Sequence, residues 1–337
     1  MKQLKHVILT SISIMLIAVA CSKSSDTTTD ETSGNWVKRS EFEGYTRTEA
    51  VAFTVGDTAY IGTGYDGTNR LTDFWKYEAT ANQWTQCASF PGVGRSSAIG
   101  FGTSTKGYIG TGYDGINKLK DFYEYNPATN TWAKKADFAG SARYEAVAFA
   151  ISDKGYVSTG YDGNNLKDLW QYNPTTDSWT VKGSLGGDKR SGAVAFVYNG
   201  TAYICSGINN GTSVTDLWAY NASRETWSEM KSITNVSSDT YDDDYSDIVR
   251  NNAVALVIGD KAFLTTGENG TYTKKTWQYD FATDQWSRKT PYERSERSGA
   301  VAFTVKGRGY ITTGRNSTYY FDNLDEFKPA DTYDSND

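Results

Sequence analysis

The chain repeats itself, and nothing else in it limits the fold as tightly. A short apolar segment starts at Ala50 (AVAF) and returns at Ala98 (AIGF), Ala146 (AVAF), Ala193 (AVAF), Ala253 (AVAL) and Ala300 (AVAF), at spacings of 48, 48, 47, 60 and 47 residues. A second segment follows each copy and ends on Gly64, Gly112, Gly160, Gly207, Gly267 or Gly314. A third runs DFWKYE from Asp73, DFYEYN from Asp121, DLWQYN from Asp168, DLWAYN from Asp216 and TWQYD from Thr276. A fourth carries Trp84, Trp132, Trp179, Trp227 or Trp286. Self-similarity at this period marks an architecture built by stacking one small unit on the next.

Each unit reads as four short strands. The 337 residues include 24 Tyr, 14 Phe and 10 Trp but only 3 Met, with 32 Gly and 5 Pro, a composition suited to strands and tight turns. In DLWQYN, bulky Leu169, Trp170 and Tyr172 are set between polar positions. AVAF is small and continuously apolar, as expected of an innermost strand buried on both faces. The expected fold is therefore all-β, a six-bladed β-propeller with four-stranded blades. Six AVAF segments are followed by only five tryptophans, and the sixth is Trp36, which lies 48 residues before Trp84. The N-terminal strand should thus complete the last blade, whose other strands come from about Arg297 to Phe327, and close the ring.

These residues resemble the kelch family. The glycine pair after the second strand is reduced to Thr-Gly or Ser-Gly, but the spaced pairs Tyr125 with Trp132, Tyr172 with Trp179, Tyr220 with Trp227 and Tyr279 with Trp286 remain. The resemblance runs from Trp36 to about Phe327. It implies that the loops before the innermost strand and after the second strand share one face.

The N-terminus sets an expected domain plan. Lys2 and Lys5 precede an apolar run from Val7 to Ala20, which reads as a secretory signal. AVAC ending at Cys21 resembles a bacterial lipobox, which implies a lipidated cysteine and a cell-envelope location, in the periplasm or at the surface of the outer membrane. Residues 21–34 read as the lipidated cysteine and a polar tether, 35–328 as the propeller and 329–337 as a disordered tail. The DTT triplet at Asp26 resembles an O-glycosylation site of Bacteroidetes lipoproteins. The formal net charge of −6 becomes −8 once Lys2 and Lys5 are removed. That argues against nucleic acid and against electrostatic membrane binding, leaving the lipid anchor as the membrane contact.

The only histidine, His6, lies in the signal segment. Histidine-based acid–base chemistry and His-ligated metal sites are excluded from the mature chain, and with them the copper chemistry of the galactose-oxidase relatives. Cys87 and Cys205 read as small buried hydrophobes rather than a disulfide. No cofactor is expected.

Arg47, Arg95, Arg143, Arg190, Arg250 and Arg297 each stand three residues before an apolar segment. They could ring the channel mouth and bind carboxylates through forked hydrogen bonds. They could equally tie loop carbonyls in every blade. Glu49 and Glu145 follow two of them and are candidate acid–base groups, although pairing with arginine would keep them poor acids. The loops GYDGTNRL, GYDGINKL and GYDGNNLK offer Tyr65, Tyr113 and Tyr161 beside Asp66, Asp114 and Asp162, which suit a sugar or peptide ligand or plain turn formation. The long spacing holds the insertion Lys231 to Arg250. Its Asp242, Asp243, Asp244 and Asp247 are Ca²⁺ candidates, or simply a solvated acidic loop.

The expected function is a binding module for a protein or glycan, as a monomer or within an envelope assembly. The alternative is a mutarotase of sialic-acid type, a six-bladed kelch relative, using Arg47, Glu49, Arg143 and Glu145.

Overall fold

The computed structural model describes residues 33–336. Six antiparallel sheets of four main strands follow one another around a ring. Blade one runs outward from Val51–Val55 through Thr58–Gly62 and Phe74–Glu78 to Gln83–Cys87. Blade six is assembled from both ends of the chain. Its inner strands are Ser298–Val305, Arg308–Asn316 and Leu324–Thr332, and its outermost strand is Ser33–Lys38. Trp36 pairs in register with Phe327, their ring centroids 4.5 Å apart. The expected ring closure is present.

Two boundaries move. Strand pairing begins at Ser33, so the last two residues assigned to the tether belong to the propeller. The last blade's third strand continues to Thr332, and the Asp334 amide donates to Asn35 Oδ1, so part of the expected tail is ordered against the first strand. The signal segment, Cys21 and the DTT triplet lie outside the described residues.

The innermost strands are not buried on both faces. In blade one, Val51 and Phe53 are buried while Ala52 is only half-buried. Alanines from the innermost strands line a central cavity of about 210 Å³. A methyl is all the channel admits, whereas the interface between blades takes large rings. Phe53 reaches into blade two so closely that a Cβ on Gly107 would sit 1.9 Å from it. The Gly of GYIG is there to let that ring in.

The spaced tyrosine and tryptophan form one repeated joint. Tyr77 lies opposite Trp84 with centroids 4.8 Å apart, and the four pairs from Tyr125–Trp132 to Tyr279–Trp286 all sit at 4.9 Å. The Tyr77 hydroxyl donates to Asn82 Oδ1 in the following turn. The same oxygen accepts the Ser40 amide, and the Trp84 indole donates to the Ser40 carbonyl. Asn130 with Trp132 and Asp177 with Trp179 repeat this geometry. The signature is thus an aromatic contact with a polar clamp on the preceding chain segment.

Candidate functional site at the channel mouth

The loops before the innermost strand and after the second strand do share one face. Thr48 and Tyr65 exchange backbone hydrogen bonds, as do Ser96 with Tyr113 and Tyr144 with Tyr161.

The arginines do not ring the mouth as free donors. All six are 0–1% exposed. Arg47 donates to the Tyr45 and Thr63 carbonyls and grips both carboxylate oxygens of Asp73, at 2.7 and 2.5 Å. Arg95 holds Asp121 in the same way, Arg143 holds Asp168, and Arg190 holds Asp216. Blades five and six depart from the rule. Arg250 donates only to carbonyls, those of Asp247, Ile248, Thr266 and Lys275. Arg297 donates to the Ser295 and Thr313 carbonyls and lies against the Tyr292 and Phe321 rings. The ligand-binding assignment of the six arginines is therefore corrected to a structural one. Each guanidinium ties the loop before the innermost strand to the end of the second strand, and in blades one to five also to the start of the third.

The residues two places after the arginines form a closed circle. The amide of Ser97 donates to the Glu49 carbonyl, Glu145 to Ser97, Gly192 to Glu145, Asn252 to Gly192, Gly299 to Asn252, and Glu49 back to Gly299, all at 2.8–3.1 Å. All six residues have φ between 50° and 62°. This left-handed conformation is unfavourable for the four that are not glycine and is held by the ring. It also explains the two glycines.

The glutamates take positions on this circle, and the arginine pairing expected of them is absent because Arg47 and Arg143 are already engaged. Glu49 instead accepts from Ser97 Oγ at 2.7 Å. Burial pushes the Glu145 carboxyl above its ordinary range, and the charges of Glu49 and Glu268 push the same way, against a hydrogen bond from Ser191. A carboxyl whose pKa is raised on folding stabilises the fold most when protonated. That contribution is complete below the unfolded-state value and is lost as pH rises through the folded one. Glu145→Gln should therefore raise the melting temperature at pH 7 and flatten the decline in stability with rising pH over that window. A melting series from pH 4 to pH 8 measures it, and an unchanged slope would contradict this assignment.

Outside the circle runs an arc of half-buried rings rather than freely exposed tyrosines. Tyr320 meets Tyr65 at 6.1 Å, Tyr113 meets Tyr144 at 5.4 Å, and Tyr144 meets Tyr161 at 5.6 Å. Arg70 bridges the gap, its guanidinium 5.0 Å from the Tyr65 ring and 4.9 Å from that of Tyr113. The Tyr65 and Tyr113 hydroxyls donate to the Gly67 and Gly115 carbonyls in their own loops. Asp66 and Asp114 form their turns by accepting two backbone amides each, and Asp162 accepts that of Asn164. The Asn117 and Ile116 amides hold the Asp114 carboxyl below its usual range, and the Asn69 and Thr68 amides outweigh burial to do the same for Asp66. The aspartates shape the loops, and the rings supply the surface.

Sequence reading missed Arg70, Tyr144, Tyr320, Glu268 and Arg315. Glu268 and Arg315 occupy the position that Tyr65 holds in blade one. Aligning the repeats on their Thr-Gly step would have exposed both.

The insertion is anchored by buried residues, while Asp243 and Asp244 are exposed, in keeping with a solvated acidic stretch. Ile233, Tyr245 and Ile248 are buried in the core between blades four and five, and Asp242 is buried too. Asp242 accepts the Val236 and Ser237 amides, and Asp247 accepts the Trp277 indole and the Lys275 ammonium. No group of three or more acidic, Cys or His side chains among the described residues converges as a metal site. The calcium assignment of Asp242, Asp243, Asp244 and Asp247 is withdrawn, because two of these carboxylates are consumed in folding the loop. Cys87 and Cys205 are free thiols.

Four-stranded blades, a sealed seam and a loop-lined mouth define a six-bladed β-propeller. The Kelch motif model matches residues 142–186 and 189–233, which fall in blades three and four. The chain is a six-bladed β-propeller whose third and fourth blades carry the kelch motif. The solved chain described as "Structure of YjhT" superposes with a TM-score of 0.70 at 18% identity, over 85% of this chain and 95% of that one, a likeness of fold. No curated protein matches by sequence.

Proposed function

We propose that this protein is a binding module, held at the cell envelope by a lipid on Cys21, that takes a protein ligand on its loop face. The observation that carries this reading is where the exposed apolar side chains fall. Among the described residues, Val181 on the outermost strand of blade three, Val236 in the insertion and Tyr333 past the last strand are exposed singly, and the remaining large exposed hydrophobics are Tyr45 (68%), Val93 (51%), Ile116 (86%) and Tyr319 (74%). All four stand on loops of this face, in blades six, one and two, beside the tyrosine arc. Aliphatic and aromatic groups together, rimmed by polar turns, suit a protein surface better than a sugar. The mutarotase reading loses its arginines, since Arg47 and Arg143 are buried against aspartates and present no group to a sugar.

The test is site-specific photocrosslinking in native envelopes. A crosslinker at Ile116 or Tyr45 should give a discrete protein adduct, and one at Asn199, on a hairpin of the opposite face, should give none. Equal labelling from both faces would remove the loop face as the docking surface. A thermal shift with neutral glycans and no adduct would move the ligand to sugar.

A further inference from the structure

Blade five breaks the repeat at one charged position, and a cavity lies there. Asp73, Asp121, Asp168 and Asp216 neutralise the arginines of blades one to four, and the corresponding residue in blade five is Lys275. The position is fixed by register, since Trp277 lies opposite Leu264 as Trp75 lies opposite Ile61. Arg250 therefore keeps its carbonyl partners and has lost its carboxylate. Burial lowers its pKa to about 10, with Asp247 opposing, and it stays charged at neutral pH. Asp247, supplied by the insertion, takes over only part of the missing role: it accepts the Trp277 indole, as Asp73 accepts that of Trp75, but gives Arg250 its carbonyl rather than its carboxylate.

The cavity measures about 510 Å³, within the range of small-ligand sites. Its walls carry Arg250, Lys274 and Lys275 against Asp247 and Glu296. Lys275 and the Trp277 indole hold the Asp247 carboxylate, which leaves Lys274 and the buried Arg250 against Glu296, a net positive hollow in an acidic chain. Thr271 and Thr273 add hydroxyls to the walls and Tyr272 a half-buried ring. The wall formed by the insertion is anchored by buried Ile248 and Tyr245, so the hollow is preformed.

We propose that this cavity is a second ligand site and takes a small molecule bearing a carboxylate. The ligand's carboxylate meets the Lys274 ammonium at the rim, beside the Lys275 ammonium that Asp247 already holds, and supplies the negative charge that blade five lacks in front of Arg250. The site lies apart from the tyrosine arc and does not depend on what the arc binds.

The experiment is a calorimetric titration of the whole protein at low salt with glucuronate and with glucose, its neutral counterpart. Glucuronate should bind at least about tenfold more tightly, the worth of one charge-assisted contact. Lys274→Gln, at the exposed rim, should remove most of that preference. The swap Asp247→Asn with Lys275→Asp restores the arrangement of blades one to four and should abolish it. Tyr113→Ala, in the arc, should leave it unchanged. Equal affinity for the two sugars, no binding of either, or a preference that survives Lys274→Gln overturns the proposal. Should the swap fail to fold, Lys274→Gln decides alone.

Discussion

Asp73→Ala will cost about 3 kcal/mol of stability, because it strands the buried Arg47 guanidinium without a counter-ion. The loss falls on one side of the pair. Arg47 is wholly buried and cannot turn to water, whereas the Asp73 side chain keeps 14% of its surface. Two hydrogen bonds from Arg47 and one from the Trp75 indole disappear together. Equilibrium urea unfolding reads the difference, with Lys274→Gln as a surface control. The comparison with blade five is sharper. Arg250 has no carboxylate to lose at the equivalent place, so Lys275→Ala should cost far less than Asp73→Ala. Equal costs would mean that the carbonyl contacts, not the ion pair, hold these arginines.

The second large effect is at the seam. Trp36 is 1% exposed, packs on Tyr292 and Phe327, and donates its indole N–H to the Thr290 carbonyl. Trp36→Ala should cost about 3–5 kcal/mol by emptying that space. Deleting residues 33–38 should do more. It uncovers the third strand of blade six and unmoors Arg39, which together with Arg308 clamps Glu326 from both sides. Circular dichroism should then show a broad, non-cooperative melt. A truncated chain that melted as one unit at the original temperature would show that the ring does not need its clasp.

Much of this architecture was legible in the order of residues. The period gave the number of blades, and Trp36 gave the closure, because a missing repeat element is conspicuous in a chain of near copies. The site was less legible, for a physical reason. A residue present in every repeat can face either a ligand or its own blade, and Arg47 and its counterparts looked like mouth residues until Asp73 was placed against them. Their partners stood in the third segment, at a near-constant separation of 25 or 26 residues, and that spacing was the unused signal. Glu49 and Glu145 were visible as exceptions, but the amide circle that carries them was not. It is made of backbone groups and leaves only a faint trace in side chains, the glycines at 192 and 299. Asp242 and Asp247 looked solvated for a related reason: a carboxylate that accepts backbone amides is indistinguishable, in sequence, from one that faces water.

The direction of the first strand fixes an orientation. The outermost strand of every blade leads into the loop face, so Lys38 lies at that end of blade six and Ser33 at the other, beside Thr332. Anything attached ahead of Ser33 pulls on the far rim. On the proposed lipid anchor the propeller would be held by the rim away from its tyrosines, which leaves the loop face clear of the point of attachment.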